Sequence, residues 1–210
     1  MGKQGVSEKL KQYVEKGGIL LVTYLTGYVN ENCLCYQGGF PGDGLKDLLG
    51  VVSEEIDTLY PSDQNEIRFL PGKLENESWI VKDYAELLRV VDAEVLAEYV
   101  SDFYAGYPAL TCKKSGEGKA YYQAARCKME GMKGFLSELL KEAGIKAKSL
   151  PAGVEYHRRY DEDTVYEFYL NTSEEKITLS DAQGTNLVSG EEIDGQICLE
   201  PKENMILKMK

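Results

Sequence analysis

Three carboxylates, five cysteines and a single histidine are the side chains in this 210-residue sequence whose types and spacing could do chemistry. Glu54, Glu55 and Asp57 lie close together. Paired carboxylates are what glycoside hydrolysis uses as acid and nucleophile. Here they follow Val51-Val52 with no aromatic platform nearby in sequence, so they read as a solvated edge. Cys33 and Cys35 make a Cys-x-Cys pair. Zinc sites need a second pair or histidines, and Cys112, Cys127 and Cys198 are scattered. These read as small buried or loop thiols, and no metal site is expected. His157, in Tyr156-His157-Arg158-Arg159, is the only candidate base for a triad. It reads as a surface or interface residue.

Gly38-Gly39-Phe40-Pro41-Gly42-Asp43-Gly44 opens a short helix, where backbone N–H groups can cradle an anion. The loop matches neither the P-loop nor the dinucleotide pattern, and Asp43 at its centre repels phosphate. A turn needing positive φ angles is the simpler reading. Phe103-Tyr104-Ala105-Gly106-Tyr107 could stack on a sugar, but turn packing accounts for it as well. No catalytic, cofactor-binding or metal-ligating residue is assigned.

The elements that would position these residues fall into two regions. Ser7 to Lys16 has the i, i+3, i+4 spacing of an amphipathic helix in Leu10, Tyr13 and Val14, with Ser7 able to cap its first turn. Gly17-Gly18 stops it, and Ile19 to Tyr24 is an apolar run of the kind found in a strand covered on both faces. A short helix is expected over Leu45 to Leu49. Strands are expected over Ile67 to Leu70, Ala93 to Val100, Pro108 to Cys112 and Lys119 to Ala124, and a helix over Phe135 to Ala143. After Pro151 the pattern shortens and alternates, at Val165 to Leu170, Lys176 to Leu179, Gln196 to Leu199 and Met205 to Lys208. The expectation is an α/β domain over residues 1–149 and a small antiparallel β-domain over 150–210.

Hydrophobic residues make up 43% of the chain, enough for a core. Twenty-four basic against 35 acidic residues give a net charge of −11, which disfavours nucleic acid and anionic membranes as partners. No apolar run approaches the roughly 20 residues that span a bilayer. The start, Met1-Gly2-Lys3-Gln4-Gly5, lacks the pattern of a secretory signal. An odd number of cysteines without a disulfide framework reads as reduced thiols, hence a cytoplasmic chain or one separated from an upstream signal.

Several stretches in order resemble the β-galactosidases of glycoside hydrolase family 42. They run from Tyr13-Val14-Glu15-Lys16-Gly17-Gly18 and Leu20 to Tyr24, through Gly39-Phe40-Pro41-Gly42 and Leu48-Leu49-Gly50-Val51. The most specific are Ala93 to Tyr99 and Asp102 to Thr111, with Gly118-Lys119-Ala120-Tyr121-Tyr122 after them. Leu150 to Glu155 and Tyr166 to Asn171 complete the series. The resemblance implies a trimerisation domain, flavodoxin-like and related to class I glutamine amidotransferases (a three-layer sandwich), and then a small C-terminal β-domain. It further implies a parent enzyme that hydrolyses terminal β-galactosides with retention, using two glutamates on a (β/α)₈ barrel. A barrel needs about 250 residues, so none is expected here and no catalytic glutamate is carried over. By the same resemblance a first strand ahead of Ser7 is expected to be missing. The function expected is oligomerisation or scaffolding, as a trimer or with a separate barrel-bearing chain. The rivals are a carbohydrate-binding module and, more remotely, an amidotransferase-like enzyme, for which Cys35 lacks the Gly-x-Cys-x-Gly setting.

Overall fold

The computed structural model describes residues 3–209 other than 73 and 76. Part of the Met1 to Gly5 reading therefore lies outside the described residues. The first compact unit covers Met1–Lys146 and the second Ala147–Lys210. In chain order the first holds α1 (Val6–Glu15), β1 (Ile19–Thr23), α2 (Leu45–Leu49), β2 (Val51–Thr58), β3 (Asn65–Phe69), β4 (Ser78–Val90), β5 (Glu94–Tyr99), β6 (Pro108–Ser115), β7 (Gly118–Gln123), β8 (Ala125–Cys127) and α3 (Met129–Glu142). The second holds β9 (Val154–Asp161), β10 (Thr164–Asn171), β11 (Ile177–Asn186), β12 (Glu192–Leu199) and β13 (Asn204–Lys208).

The strands of the first unit form one sheet in the order β1-β7-β6-β5-β3-β4-β2, with β8 also paired to β4. Of a flavodoxin-like parallel order, the described strands show one parallel pair, β1 with β7, in the register Leu21↔Tyr121. The other pairings are antiparallel. Local chemistry explains the difference. Gly116-Glu117 makes a two-residue hairpin between β6 and β7, which forces antiparallel pairing. β1 instead leaves through the long segment 24–44 and never turns back on itself.

Alternation along the strands sends side chains to two cores. Tyr121 joins Ile67, Phe69, Trp79, Leu87 and the α3 residues Met132, Phe135 and Leu139. Its neighbours Ala120 and Tyr122 join Val14, Leu45, Leu48, Leu49 and Leu88 on the other face. The result is three layers, with α3 on one side of the sheet and α1 and α2 on the other. The close fit of α1 against β7 depends on Gly118, where a Cβ would sit 2.2 Å from the Val14 carbonyl oxygen.

Three local readings shift. Ser7 lies inside α1 and caps nothing; Gly5 occupies the N-cap, and the Ser7 hydroxyl donates to the Asp43 carboxylate. α3 begins six residues earlier than its apolar face suggests, because Gly131 and Gly134 dilute the helical signal. They are there for clearance, since added Cβ atoms would meet Trp79 at 2.9 Å and Glu77 at 2.0 Å. The long strand β4 escapes the sequence pattern because its alternation breaks at Lys82-Asp83, where Asp83 has φ 67° and the register with β8 shifts.

The second unit is a five-stranded sheet in the order β12-β11-β13-β10-β9, entirely antiparallel. Along β10, Glu167, Tyr169 and Asn171 are buried at every second position, as a sheet with one covered face requires. Its core is Tyr169, Leu179, Ala182, Ile197, Leu199 and Leu207.

Candidate functional site

The carboxylates singled out from the sequence lie on β2, at one end of the first sheet. Glu54 and Glu55 point outward at a register shift, and Arg89 Nε donates to Glu54 at 2.5 Å. Asp57 accepts from the Tyr104 hydroxyl at 2.9 Å. They do not converge on a cleft. Acidic side chains along a terminal strand discourage further pairing there.

Cys33 and Cys35 are exposed on a small hairpin closed by a Val29–Cys35 bridge, with Asn30 Oδ1 accepting from Asn32 and Leu34 N–H. That is no strand-to-helix elbow. Cys112 is buried on β6, and burial pushes the Cys127 thiol up to about 12, so both stay protonated and weakly nucleophilic. Cys198 is exposed on β12, and His157 is exposed on β9 opposite Phe168. Among the described residues no three His, Cys, Asp or Glu side chains cluster to hold a metal.

The glycine-rich loop is a packed turn. Gly42 N–H donates to the Gly27 carbonyl at 2.8 Å and Ser53 N–H to the Phe40 carbonyl at 2.9 Å. A Cβ on Gly42 would sit 2.3 Å from the Tyr36 ring. Lys46 Nζ reaches the Gly38 carbonyl at 2.5 Å, so the loop turns acceptors as well as donors inward. In the aromatic turn, Tyr104 is fully buried edge-on to Tyr99, while Phe103 and Tyr107 remain 68% and 44% exposed.

Glu86 is a feature the sequence reading missed. It is fully buried on β4 and its carboxylate accepts from Leu25 N–H at 3.1 Å and from the Tyr122 hydroxyl. Tyr28, whose hydroxyl is 2.7 Å from that of Ser53, closes the nest. Burial pushes the Glu86 carboxyl up, against the opposing pull of the Tyr122, Tyr28, Leu25 and Ser53 donors. A signal existed: one acid inside Tyr84-Ala85-Glu86-Leu87-Leu88. The nest holds segment 24–44 to the sheet, and Glu86 lines neither of two hollows found in this unit.

The larger hollow, about 600 Å³, lies between α3, β7 and the residues before β4. Phe69, Leu96, Phe135 and Leu139 form its apolar part, and Glu94, Glu138 and Glu142 approach it. Lys119 and the Tyr121 hydroxyl both donate to Glu142, and Lys141 donates to Glu138. Two of the three carboxylates are thus neutralised by lysines. No helix among the described residues is long and apolar enough to cross a membrane.

Comparison with known proteins gives two family matches, the β-galactosidase trimerisation domain over residues 1–146 and the β-galactosidase C-terminal domain over 153–209. The chain is 40% identical over 220 residues to β-galactosidase Pbg of Clostridium perfringens, covering 100% of this chain and 31% of that protein. It therefore spans about a third of the length of the curated relatives it matches. Among solved structures, the β-galactosidase of Bacillus circulans sp. alkalophilus superimposes with a TM-score of 0.83 at 35% identity, over 100% of this chain and 32% of the other. A catalytic mutant of Gan42B, a GH42 β-galactosidase of G. stearothermophilus, does so with a TM-score of 0.80 at 32% identity, over 98% and 30%.

Proposed function

The chain belongs to the glycoside hydrolase family 42 β-galactosidases, of which it carries the trimerisation and C-terminal domains, and from that premise we propose that it is their non-catalytic assembly portion. Residues 1–149 hold copies together as a trimer, and 150–210 form an accessory β-domain. Hydrolysis of terminal β-D-galactosides belongs to a barrel outside this sequence. No residue here is assigned to catalysis, a cofactor or a metal. The chain works in the cytoplasm, without nucleic acid or membrane as partner.

One observation carries this reading. Of the carboxylates that approach the larger hollow, Glu138 and Glu142 are tied to lysines and Glu94 is left single, while on β2 Glu54 and Glu55 face outward and Asp57 is held by the Tyr104 hydroxyl, so no described pair is set to flank a glycosidic bond. The half-buried apolar residues Ile19 to Val22 on β1, at the other end of the sheet, support a role in joining polypeptides. A strand from a barrel-bearing chain can pair there.

Sedimentation velocity across a concentration series tests assembly, with a trimer expected and monomer at every concentration counting against it. The same preparation, free of contaminating hydrolase, should leave a chromogenic β-galactoside intact; turnover that co-purifies with the chain and is abolished by a substitution in it would place a catalytic site here. A second reading rests on the exposed rings of Phe103 and Tyr107, which offer a sugar-stacking surface. Chemical shifts confined to that turn on adding galactose or lactose would establish it, and silence would remove it.

A further inference from the structure

Lys148 lies at the start of the second unit, before its first strand, and its ammonium group sits in a closely built pocket. Nζ donates to the Tyr169 hydroxyl at 2.5 Å and stands 3.7 Å from Glu167 Oε2. It also lies 5.0 Å from the ring centre of Tyr156, within cation–π reach. The 4.8 Å to the Tyr169 ring centre is reached past the hydroxyl, so that contact is a hydrogen bond rather than a face-on approach. The Lys148 side chain is 31% exposed, against 8% for Glu167.

The walls of this pocket are set by strand register rather than by the lysine. Register places Tyr156 opposite Tyr169 and Arg158 opposite Glu167 on the β9–β10 hairpin. Glu167 sits on the covered face of the sheet, where a lone carboxylate costs several kcal/mol, on the order of the desolvation penalty of a buried ion. It is held there by the Tyr156 hydroxyl at 2.5 Å and the Tyr169 hydroxyl at 2.7 Å. Arg158 Nε is 3.7 Å away and 45% exposed at its side chain, so it compensates only in part. The remaining demand is for a second cation, small enough to reach Tyr169 and apolar enough behind its charge to pass the two rings. An alkylammonium meets that description.

We propose that Tyr156, Glu167 and Tyr169 form an alkylammonium-binding cage whose resident ligand is Lys148, and that this internal ligand fastens residues 147–150 to the C-terminal β-domain. Leu150 packs against the core of that domain two residues on, so both ends of the short segment are held. The cage is a binding site for the class of primary alkylammonium ions, vacated when the lysine side chain is removed.

The test uses the full chain. Lys148→Ala removes three methylenes and the ammonium, which n-propylammonium replaces atom for atom. In the wild type, backbone order parameters of 147–150 should sit near about 0.85; in Lys148→Ala they should fall below about 0.6. Millimolar n-propylammonium should restore them and shift the Tyr156 and Tyr169 ring resonances, while equal n-propanol or sodium should not. Lys148→Met keeps the stem and loses the charge, so it should behave like the alanine variant; order retained in the methionine variant would reduce the site to stem packing and overturn the cage. Equal responses to propylammonium and sodium would overturn it too. If the alanine variant fails to fold, the Met variant decides the question by the same order parameters.

Discussion

Leu25 N–H donates to Glu86 at 3.1 Å, joining residues 61 apart in sequence and fixing the long segment after β1 to the middle of β4. The acceptor is a fully buried carboxylate whose companions are hydroxyls rather than cations. Burial raises its folded-state pKa above the ordinary 4.5. The native state therefore holds a proton that the unfolded state releases, and stability declines as pH rises from about 4.5 through the folded value. Glu86→Gln should lose that decline, gaining on the wild type as pH is raised in urea titrations. Glu86→Ala strands two donors and should cost about 1–3 kcal/mol at any pH.

Glu167 in the second unit has the opposite dependence. Burial alone would raise its pKa, but the Tyr156 and Tyr169 donors, then Lys148 and Arg158, together lower it. Its contribution is present above the unfolded pKa near 4.5 and is lost as pH falls through the lower folded value. Acid titration by circular dichroism should show the C-terminal β-domain losing stability below about pH 4.5. Glu167→Gln should flatten that limb and cost about 1–2 kcal/mol at neutral pH, a figure discounted for the partly exposed cations.

Trp79, the only tryptophan, is fully buried against Phe69 and Phe135 with its indole N–H unpaired. Its fluorescence should report unfolding of the first unit alone. Trp79→Ala should cost about 3–5 kcal/mol. Trp79→Phe removes the stranded donor and should cost clearly less, which thermal melts followed by circular dichroism will compare.

Two glycines separate crowding from backbone strain. Gly118→Ala drives a methyl into the Val14 carbonyl and should destabilise by about 3 kcal/mol or more. Gly190 has φ 76° with open space around it, so Gly190→Ala should cost about 1–2 kcal/mol. Urea midpoints of the two variants give the comparison.

The sequence displayed the elements whose apolar residues keep a steady period. Ile19 to Val22, Pro108 to Cys112 and Lys119 to Gln123 form strands where expected, and Leu45 to Leu49 forms the short helix. Period failed where a neighbour dictated the residue. Gly131 and Gly134 serve the clearance of Trp79 and Glu77, which hides the start of α3. Asp83 bends β4 out of its alternation, and β9 hardly alternates because most of its residues are exposed. The Lys148 cage was illegible for a different reason: its members are brought together by hairpin register, and nothing at position 148 announces Glu167 19 residues later.

The eight-stranded sheet ends in two unlike strands, apolar β1 and acid-bearing β2. Runaway polymerisation by strand stacking needs two receptive ends on each molecule, one to accept and one to offer. Here a molecule that has docked through β1 carries Glu54 and Glu55 exposed on its far strand, and that acidic edge disfavours the next addition, so growth by strand stacking is opposed at one end.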